Sequence, residues 1–186
     1  EFFVKKVVGK VNGWVGYTWS RTNRKFPDIS NGKEFPSRWD RRHDLSVVLS
    51  YDVNKRWNIG ATFVYATGQA VTLAVNRYFV EGQLVSEYTS RNGYRMIPYH
   101  RLDLAATRYG RTSKILKDPV TGETTEIPKK FTSSWTFSVY NAYNRSNPYF
   151  IYYSADGNPA AGTFQVQAKQ VSLFSILPSI TWNFKF

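Results

Sequence analysis

The sequence predicts an all-β fold, an antiparallel transmembrane β-barrel segment with about seven membrane strands. Several stretches alternate between apolar and polar residues, which is the period of a β-strand with two different faces. Helical periodicity never extends beyond a few residues, and the chain has no run of about 18 apolar residues. Aromatic residues are frequent, with 6 Trp, 13 Tyr and 13 Phe, and many lie near predicted strand ends, where the two aromatic girdles of a barrel would lie.

The clearest alternation is in the final stretch, residues 176–186. After Pro178 the odd positions are polar and the even positions are apolar, namely Ile180, Trp182, Phe184 and Phe186. Soluble sheets rarely expose four large apolar side chains on one strand, whereas a barrel strand meets lipid on one face and a polar lumen on the other. An ordinary half-buried strand of a soluble sheet is the alternative, because a period of two fits both.

The remaining strands are predicted in order along the chain. The first ends near Val8 and the second near Ser20. The apolar face of the second strand consists of Val15, Tyr17 and Trp19. That of the third strand consists of Leu45, Val47, Leu49, Tyr51 and Val53. That of the fourth strand consists of Trp57, Ile59, Ala61, Phe63 and Tyr65. Later strands carry Leu102, Leu104 and Ala106, then Trp135, Phe137, Val139 and Tyr143, and the last runs from about Gln170 to Phe186.

Connection lengths predict the orientation of the strands. Outer-membrane barrels have short periplasmic turns and long outer loops. The turns at 9–13 and 53–56 are short and are therefore predicted on the periplasmic side. The long loops 22–40, 68–98 and 145–169 are then predicted outside. The last of these loops is predicted to contain a β-ribbon around residues 156–159. The connection 110–130 is long yet falls on the periplasmic side, and we interpret it as an insertion at a turn.

Charge and residue usage limit the cofactors and partners. No cysteine is present, so disulfides and thiolate metal sites are excluded, and His43 and His100 lack a metal-ligand spacing; we predict no cofactor. The net charge is +12, and basic residues cluster in and beside the loop 22–40. Lipopolysaccharide phosphates and outer-membrane lipid are the predicted counter-charge. Nucleic acid is not predicted, because most aromatic residues lie on the alternating strands.

Four stretches carry a family resemblance: residues 35–46, 98–104, 137–148 and 178–186. In this order they resemble the C-terminal third of the barrel of TonB-dependent outer-membrane transporters of Bacteroidetes type. The resemblance implies that residues 1–186 are the C-terminal part of a barrel of about 22 strands. It also implies that the plug domain and the N-terminal strands lie outside these residues.

The function implied by this resemblance is energised import of a bulky nutrient, a siderophore, a glycan or a peptide, across the bacterial outer membrane. The implied partners are the remaining barrel strands and the plug, TonB through the N-terminal part, the barrel-assembly machinery and a surface lipoprotein. No enzyme activity is expected. Two alternatives remain: a barrel fragment that is a client of the assembly machinery through its C-terminal aromatic strand, and a soluble all-β binding module.

One group of candidate residues lies at the outer rim. The cluster Asp40, Arg41, Arg42, His43 and Asp44 contacts ligand or controls gating, or else forms salt bridges that hold a long loop in place. A catalytic role for His43 beside Asp44 is not favoured, because Ser46, the available nucleophile, lies on the strand face of Asp44.

Other candidates lie on the predicted strands. Arg101 and Asp103 are predicted to face the plug, or only the solvated lumen. Tyr140, Asn144 and Arg145 approach the outer end and either touch substrate or cap a strand. Trp182, Phe184 and Phe186 resemble the signal that the assembly machinery recognises, and they fit a periplasmic aromatic girdle equally well.

Overall fold

A computed structural model describes residues 1–81, 83–88, 90–117, 119, 122–158, 161, 163 and 165–186. Strands dominate this part of the chain, with one 3₁₀ turn at Ser30–Gly32. The strands are β1 (Phe2–Lys6), β2 (Val11–Trp19), β3 (Asn23–Arg24), β4 (Phe35–Pro36), β5 (His43–Asn54), β6 (Trp57–Ala66), β7 (Ala70–Val71), β8 (Asn76–Val80), β9 (Gln83–Glu87), β10 (Tyr94–Arg95), β11 (Tyr99–Tyr109), β12 (Ser113–Lys117), β13 (Thr124–Pro128), β14 (Thr132–Tyr140), β15 (Phe150–Asp156), β16 (Gln165–Val171) and β17 (Leu177–Lys185). None of the described residues belongs to a helix of the length and apolarity that crossing a membrane requires.

Seven strands form one antiparallel sheet in the order β1-β2-β5-β6-β11-β14-β17. Each strand pairs with the next long strand along the chain, so the sheet is a meander. The prediction of an all-β chain with a large antiparallel sheet is confirmed, and the number of strands in this sheet agrees with the seven predicted. In the described residues the sheet is open, with β1 and β17 at its edges.

The pairing register places the apolar positions of all strands on one face. Val15 pairs with Val47, which pairs with Phe63, which pairs with Leu102. Further along the sheet Phe137 pairs with Ile180, and Trp135 with Trp182. Most positions of the opposite face are polar or small, as in the continuous row Ser50, Gly60, Ala105, Ser138 and Ser179, although Trp14 and Val48 pair on this face. The predicted division of each strand into two faces is therefore confirmed by the register.

Neither face of this sheet is covered by a second layer in the described part of the chain. The buried apolar side chains found there are Phe35, Ala66, Ala70 and Met96, and the largest fully buried side chains are the polar Ser37, Asp40 and Asn141. Apolar-face residues stay open, with Ile180 66% and Trp182 48% exposed. Burial is concentrated where the long connections meet the sheet.

The connections differ between the two ends of the sheet. At one end lie the long loops L1 (residues 20–42), L2 (67–98) and L3 (141–176), which contain the small hairpins β8–β9 and β15–β16. At the other end lie the short turns 7–10 and 55–56 and the connection 110–131, which folds as the hairpin β12–β13. The β-ribbon predicted in the last loop is confirmed, although Pro159 of its predicted turn lies outside the described residues.

Three predicted strand boundaries were wrong. The second strand begins at Val11, within the turn predicted at 9–13, because residues 11–13 pair with β5. The last strand does not begin at Gln170, which pairs with Ile151 in the β15–β16 hairpin; residues 172–176 form no strand, and β17 begins at Leu177. The adjacent apolar residues Leu173 and Phe174 interrupt the alternation at this break. The strand predicted to run from Ser133 to Asn144 ends at Tyr140, because Asn141 adopts a φ of 54°, which a strand cannot accommodate.

Candidate functional site

An ion pair with a buried carboxylate joins L1 to L2 at the end of the sheet where the long loops lie. Nη2 of Arg95 lies 2.6 Å from Oδ2 of Asp40, whose side chain is 3% exposed. The backbone N–H of Thr22 donates to Oδ1 of Asp40 at 2.6 Å. Nη1 of Arg95 donates to the carbonyl oxygens of Asp40 and Gly68. This rim ion pair, Asp40 with Arg95, therefore holds together both ends of L1, near residues 22 and 40, and both ends of L2, near residues 68 and 95.

The electrostatics of the rim favour the ionised carboxylate. Burial by itself would raise the pKa of Asp40. The hydrogen bonds from Thr22 and Arg95, with the positive charges of Arg95 and Arg42, outweigh burial and hold this pKa below its ordinary value of 3.8. The group is therefore an anion at neutral pH and contributes a charge-assisted hydrogen bond.

The structure does not bring the five predicted rim residues into one cluster. Arg41 lies 3.5 Å from Asp44 in a partly exposed pair. Arg42 accepts a hydrogen bond from Ser20 N–H through its backbone carbonyl. His43 is on the apolar face, stacked on Tyr17, with Nδ1 2.8 Å from the Tyr17 hydroxyl. Asp40 alone is buried, and its partner Arg95, 55 residues away, had no sequence signal.

A second polar cluster lies on the polar face, and it does unite predicted residues. Nε of Arg101 donates to Oδ2 of Asp103 at 3.0 Å, and Nη1 donates to the hydroxyls of Tyr99 and Tyr140 at 2.9 and 2.5 Å. The guanidinium of Arg101 also lies 4.0 Å from the centre of the Tyr140 ring. The cluster projects from β11 and β14 toward the side opposite the apolar face.

Asn141, which the sequence did not single out, connects this cluster to L3. Its backbone N–H donates to Oδ1 of Asp103, and its Nδ2 donates to the carbonyl oxygens of Arg145 and Phe174. Its Oδ1 accepts from Arg145 N–H at 3.0 Å. Positive φ is tolerated best by Gly, Asn and Asp, and this residue is fully buried, which together explain why Asn is used here.

The two predicted residues beyond Asn141 both stabilise the start of L3. Oδ1 of Asn144 accepts a hydrogen bond from Ile176 N–H at 2.9 Å, which places the chain at the beginning of β17. Nη2 of Arg145 donates to Pro98 O at 3.1 Å. These contacts fasten the two ends of L3 to each other and the start of L3 to L2.

Two adjoining cavities open among the long loops. The larger, of about 540 Å³, is lined by residues of L1, L2 and L3 and by Tyr99 at the start of β11. The smaller, of about 200 Å³, lies between L1 and L2. Arg38 and Trp39 line both cavities. The rim ion pair lies beside them, because Arg95 binds the carbonyl of Gly68, which lines the larger cavity.

Aromatic side chains form rows at both ends of the apolar face. Trp135 stacks on Trp182 at 5.8 Å between ring centres, and Trp182 lies 4.8 Å from Phe184. Phe131 contacts Phe184 and also Phe186, which is 85% exposed. At the end with the long loops the row contains Tyr17, His43, Tyr65, His100 and Tyr143. Trp182, Phe184 and Phe186 thus form one exposed patch on the edge strand.

The described His, Asp and Glu side chains include no group of three that could hold a metal ion. Comparisons of this chain with protein-family models, with curated proteins and with solved structures found no match.

Proposed function

We propose that this chain is the C-terminal part of the barrel wall of a TonB-dependent active transporter in a bacterial outer membrane. The observation that supports this most is the continuous apolar face, which the register aligns across all seven strands of the sheet. A barrel wall needs one such face toward lipid and one polar face toward the lumen. The transported nutrient would be a siderophore, a glycan or a peptide.

Strand length agrees with this proposal. A tilted membrane strand needs about 9–11 residues to cross the hydrocarbon layer. The six long strands of the sheet have 9 to 12 residues. The aromatic rows lie near the two ends of these strands, at the levels where a membrane protein places its interfacial girdles.

The uncovered faces favour a membrane wall over a soluble module. Soluble domains bury each apolar sheet face against a second layer of structure. In the described residues no such layer is present, and the exposed apolar band includes Val4, Leu104 and Phe137. A cavity of about 420 Å³ is lined along the polar face by residues including Ser50, Gly60 and Ser138, as expected of the concave side of a curved wall.

The proposal of TonB-dependent transport rests on the four stretches that resemble such transporters and on where these stretches lie in the fold. Residues 35–46 contain Asp40 and lead into β5, residues 98–104 begin β11, and residues 137–148 contain the Asn141 turn. Three stretches therefore build the corners where strands meet the long loops, and the fourth is β17. These loops would face outward, with lipopolysaccharide and a surface lipoprotein as neighbours.

The remaining parts of the proposed transporter lie beyond these residues. The other barrel strands would pair with β1 and β17, because open edges in a bilayer leave backbone groups without hydrogen bonds. The plug would lie against the polar face, where Arg101 and Asp103 project. TonB would act through the N-terminal part of the protein.

The absence of cysteine permits a direct test of the membrane wall. Single cysteines are introduced along β17, at Ile180 and Trp182 on one face and at Thr181 and Asn183 on the other. In native membranes we expect the first pair to react with lipid-soluble maleimide only and the second pair with water-soluble maleimide. Equal reaction of all four positions with the water-soluble reagent would contradict the proposal.

Transport itself is tested in the source bacterium. Deletion of the gene is expected to abolish growth on one scarce nutrient, and deletion of TonB is expected to produce the same defect. Normal growth of the deletion strain on every nutrient whose uptake requires TonB would exclude this transport function.

A second candidate function, a client of the barrel-assembly machinery, is favoured by the exposed aromatic patch on β17. An edge strand can add to another sheet through its free backbone groups. The variant Phe184→Ser is expected to reduce the amount of folded protein in the membrane, whereas Lys185→Ser, on the other face, is expected to leave it unchanged. Equal amounts of folded protein for both variants would count against this role.

A further inference from the structure

The polar lining of the two cavities among the long loops is strongly basic. Arg38 and Arg41 line the larger cavity, and Arg24, Arg38 and Arg91 line the smaller. None of the described lining residues is Asp or Glu. The nearby Asp40 is already neutralised by Arg95, and the Arg41–Asp44 pair is long and partly exposed, so water screens it. The cavities therefore favour a negatively charged occupant.

Aromatic rings lie beside these guanidinium groups. Trp39 and Tyr149 line the larger cavity and are 64% and 57% exposed. The Arg38 guanidinium lies 5.6 Å from the centre of the Trp39 ring. In the smaller cavity Arg91 lies at the same distance from the Phe35 ring. The Phe35 ring is buried, so the rings open to a ligand are those of Trp39 and Tyr149. An exposed ring next to a planar cation suits a ligand that has both a ring and an anionic group, because Arg binds carboxylate and phosphate through two parallel hydrogen bonds.

Neutral polar groups complete the larger cavity. Thr67 and Gln69 line it together with Tyr99, and side chains of these types can bind the hydroxyl groups of a sugar. Its volume of about 540 Å³ lies within the range of about 300–1,000 Å³ that is usual for small-molecule sites.

The walls of both cavities are held in position before any ligand binds. The rim ion pair joins L1 to L2, and Nδ2 of Asn92 donates to Pro36 O at 2.9 Å. Gly68 packs so closely on Met96 that a Cβ at this position would overlap the Met96 carbonyl. Such preorganisation reduces the entropy that binding would otherwise cost.

We infer that these cavities form a binding site for sugars that bear a carboxylate or a phosphate. This inference rests on the proposed function and names the substrate class of that transporter. Phosphorylated sugars come from two sources, free solutes and the headgroup of lipopolysaccharide, and both present the same chemistry to Arg38 and Trp39.

Calorimetric titration of the protein purified in detergent micelles tests the inference. Galacturonate, glucose 6-phosphate and uncharged glucose are the soluble probes, and lipid A in mixed micelles is the lipid probe. We expect at least one of the anions to bind, and glucose to bind about tenfold more weakly or not at all. Binding of a free anion identifies a solute, whereas binding of lipid A alone identifies the headgroup. Equal binding of glucose, or binding of no probe, would overturn the inference.

Variants separate a specific site from general charge attraction. Arg38→Gln is expected to weaken anion binding about tenfold, whereas Arg111→Gln, at the opposite end of the sheet, is expected to leave it unchanged. Trp39→Leu should weaken binding of the sugar anion and leave any binding of inorganic phosphate unaltered. Equal losses for Arg38→Gln and Arg111→Gln would disprove the site.

The failure of this site and the failure of the barrel proposal are distinguishable. Each variant also carries a single cysteine at Ile180 or Thr181 for maleimide labelling. If labelling is face-specific but no anion binds, only the proposed binding site for anionic sugars is refuted. If face-specific labelling is lost in the parent protein, the membrane wall is refuted.

Discussion

At the scale of single residues, the two most consequential side chains are polar and buried. Asp40 and Asn141 each connect segments that are far apart in sequence, and each lies where a long loop meets the sheet. A buried polar group without partners costs free energy, so each is stable only while its hydrogen bonds persist. Loop geometry therefore depends on a few specific contacts.

Substitution of Asn141 tests the first of these contacts. Asn141→Ala removes both side-chain donations and the acceptor for Arg145 N–H, and we expect a loss of about 1–3 kcal/mol in the free energy of unfolding. Asn31→Ala is the matched control, because Asn31 has the same φ of 54° but is exposed. Denaturant unfolding in detergent measures both; an equal loss would assign the effect to backbone strain.

Acid should release the rim ion pair. The pKa of Asp40 is lower in the folded state than its ordinary value of 3.8. The ionised Asp40 side chain therefore contributes fully to stability when the pH is above 3.8, and this contribution is lost as the pH falls through the folded-state pKa. We expect L1 to become sensitive to an acid protease below about pH 3.8. Asp40→Asn should be sensitive at every pH, and Asp28→Asn, an exposed residue of the same loop, should behave as wild type. A wild-type loop that stays resistant through this range would contradict the expectation.

At the scale of elements, register decides which face of each strand is apolar. A shift by one residue would exchange the faces, so the contacts that set the register matter more than individual side chains. Gly13 is one of them: it has a φ of 149° and pairs with Leu49, and a Cβ there would overlap the Val48 carbonyl.

Two glycines of β2 provide a matched comparison. Gly13→Ala should weaken the β2–β5 pairing, with on the order of 1–3 kcal/mol from the unfavourable φ alone. Gly16→Ala should be nearly neutral, because its Cβ would lie 3.5 Å from the Trp14 ring, an ordinary contact. Hydrogen exchange of the β2 amides measures the difference, and equal exchange rates in the two variants would show that Gly13 is not needed.

Two adjacent valines of β5 test which face meets lipid. Val47 pairs with Val15 and Phe63 on the apolar face, whereas Val48 pairs with Trp14 and Thr62 on the polar face. If the proposed wall is correct, Val47→Lys costs up to about 2–4 kcal/mol, depending on its depth in the bilayer, and Val48→Lys costs much less. Folding titrations in lipid vesicles measure both; equal costs would indicate that water covers both faces.

At the scale of the whole molecule, the described sheet exposes a broad apolar face, and large exposed apolar patches promote aggregation in water unless another surface covers them. We therefore expect the purified protein to sediment as a defined species in detergent and to aggregate when the detergent is removed. Analytical ultracentrifugation with and without detergent measures this. A monodisperse monomer in detergent-free buffer would favour the soluble binding module.

The amino-acid sequence by itself determined that the chain is all-β and which face of each long strand is apolar. Alternation is a local property, so the apolar positions of 45–53, 57–65 and 180–184 were identified without knowledge of their neighbours. Connection lengths likewise distinguished the two ends of the sheet. Strand ends were predicted less well, although Asn141 and the adjacent apolar residues Leu173 and Phe174 interrupt the alternation close to where the strands end.

Only the tertiary structure decided which polar residues meet. Arg95 lies 55 positions from Asp40, and Asn141 reaches Phe174 across 33 positions, so neither pair leaves a periodic signal in the sequence. The structure separates the side chains of residues 40–44, although these residues are adjacent in sequence. Asp40 precedes β5, and successive side chains within a strand point to opposite faces. Local periodicity determines which face of a strand is apolar. Contacts between distant loops form only when the strands pair and bring the ends of those loops together.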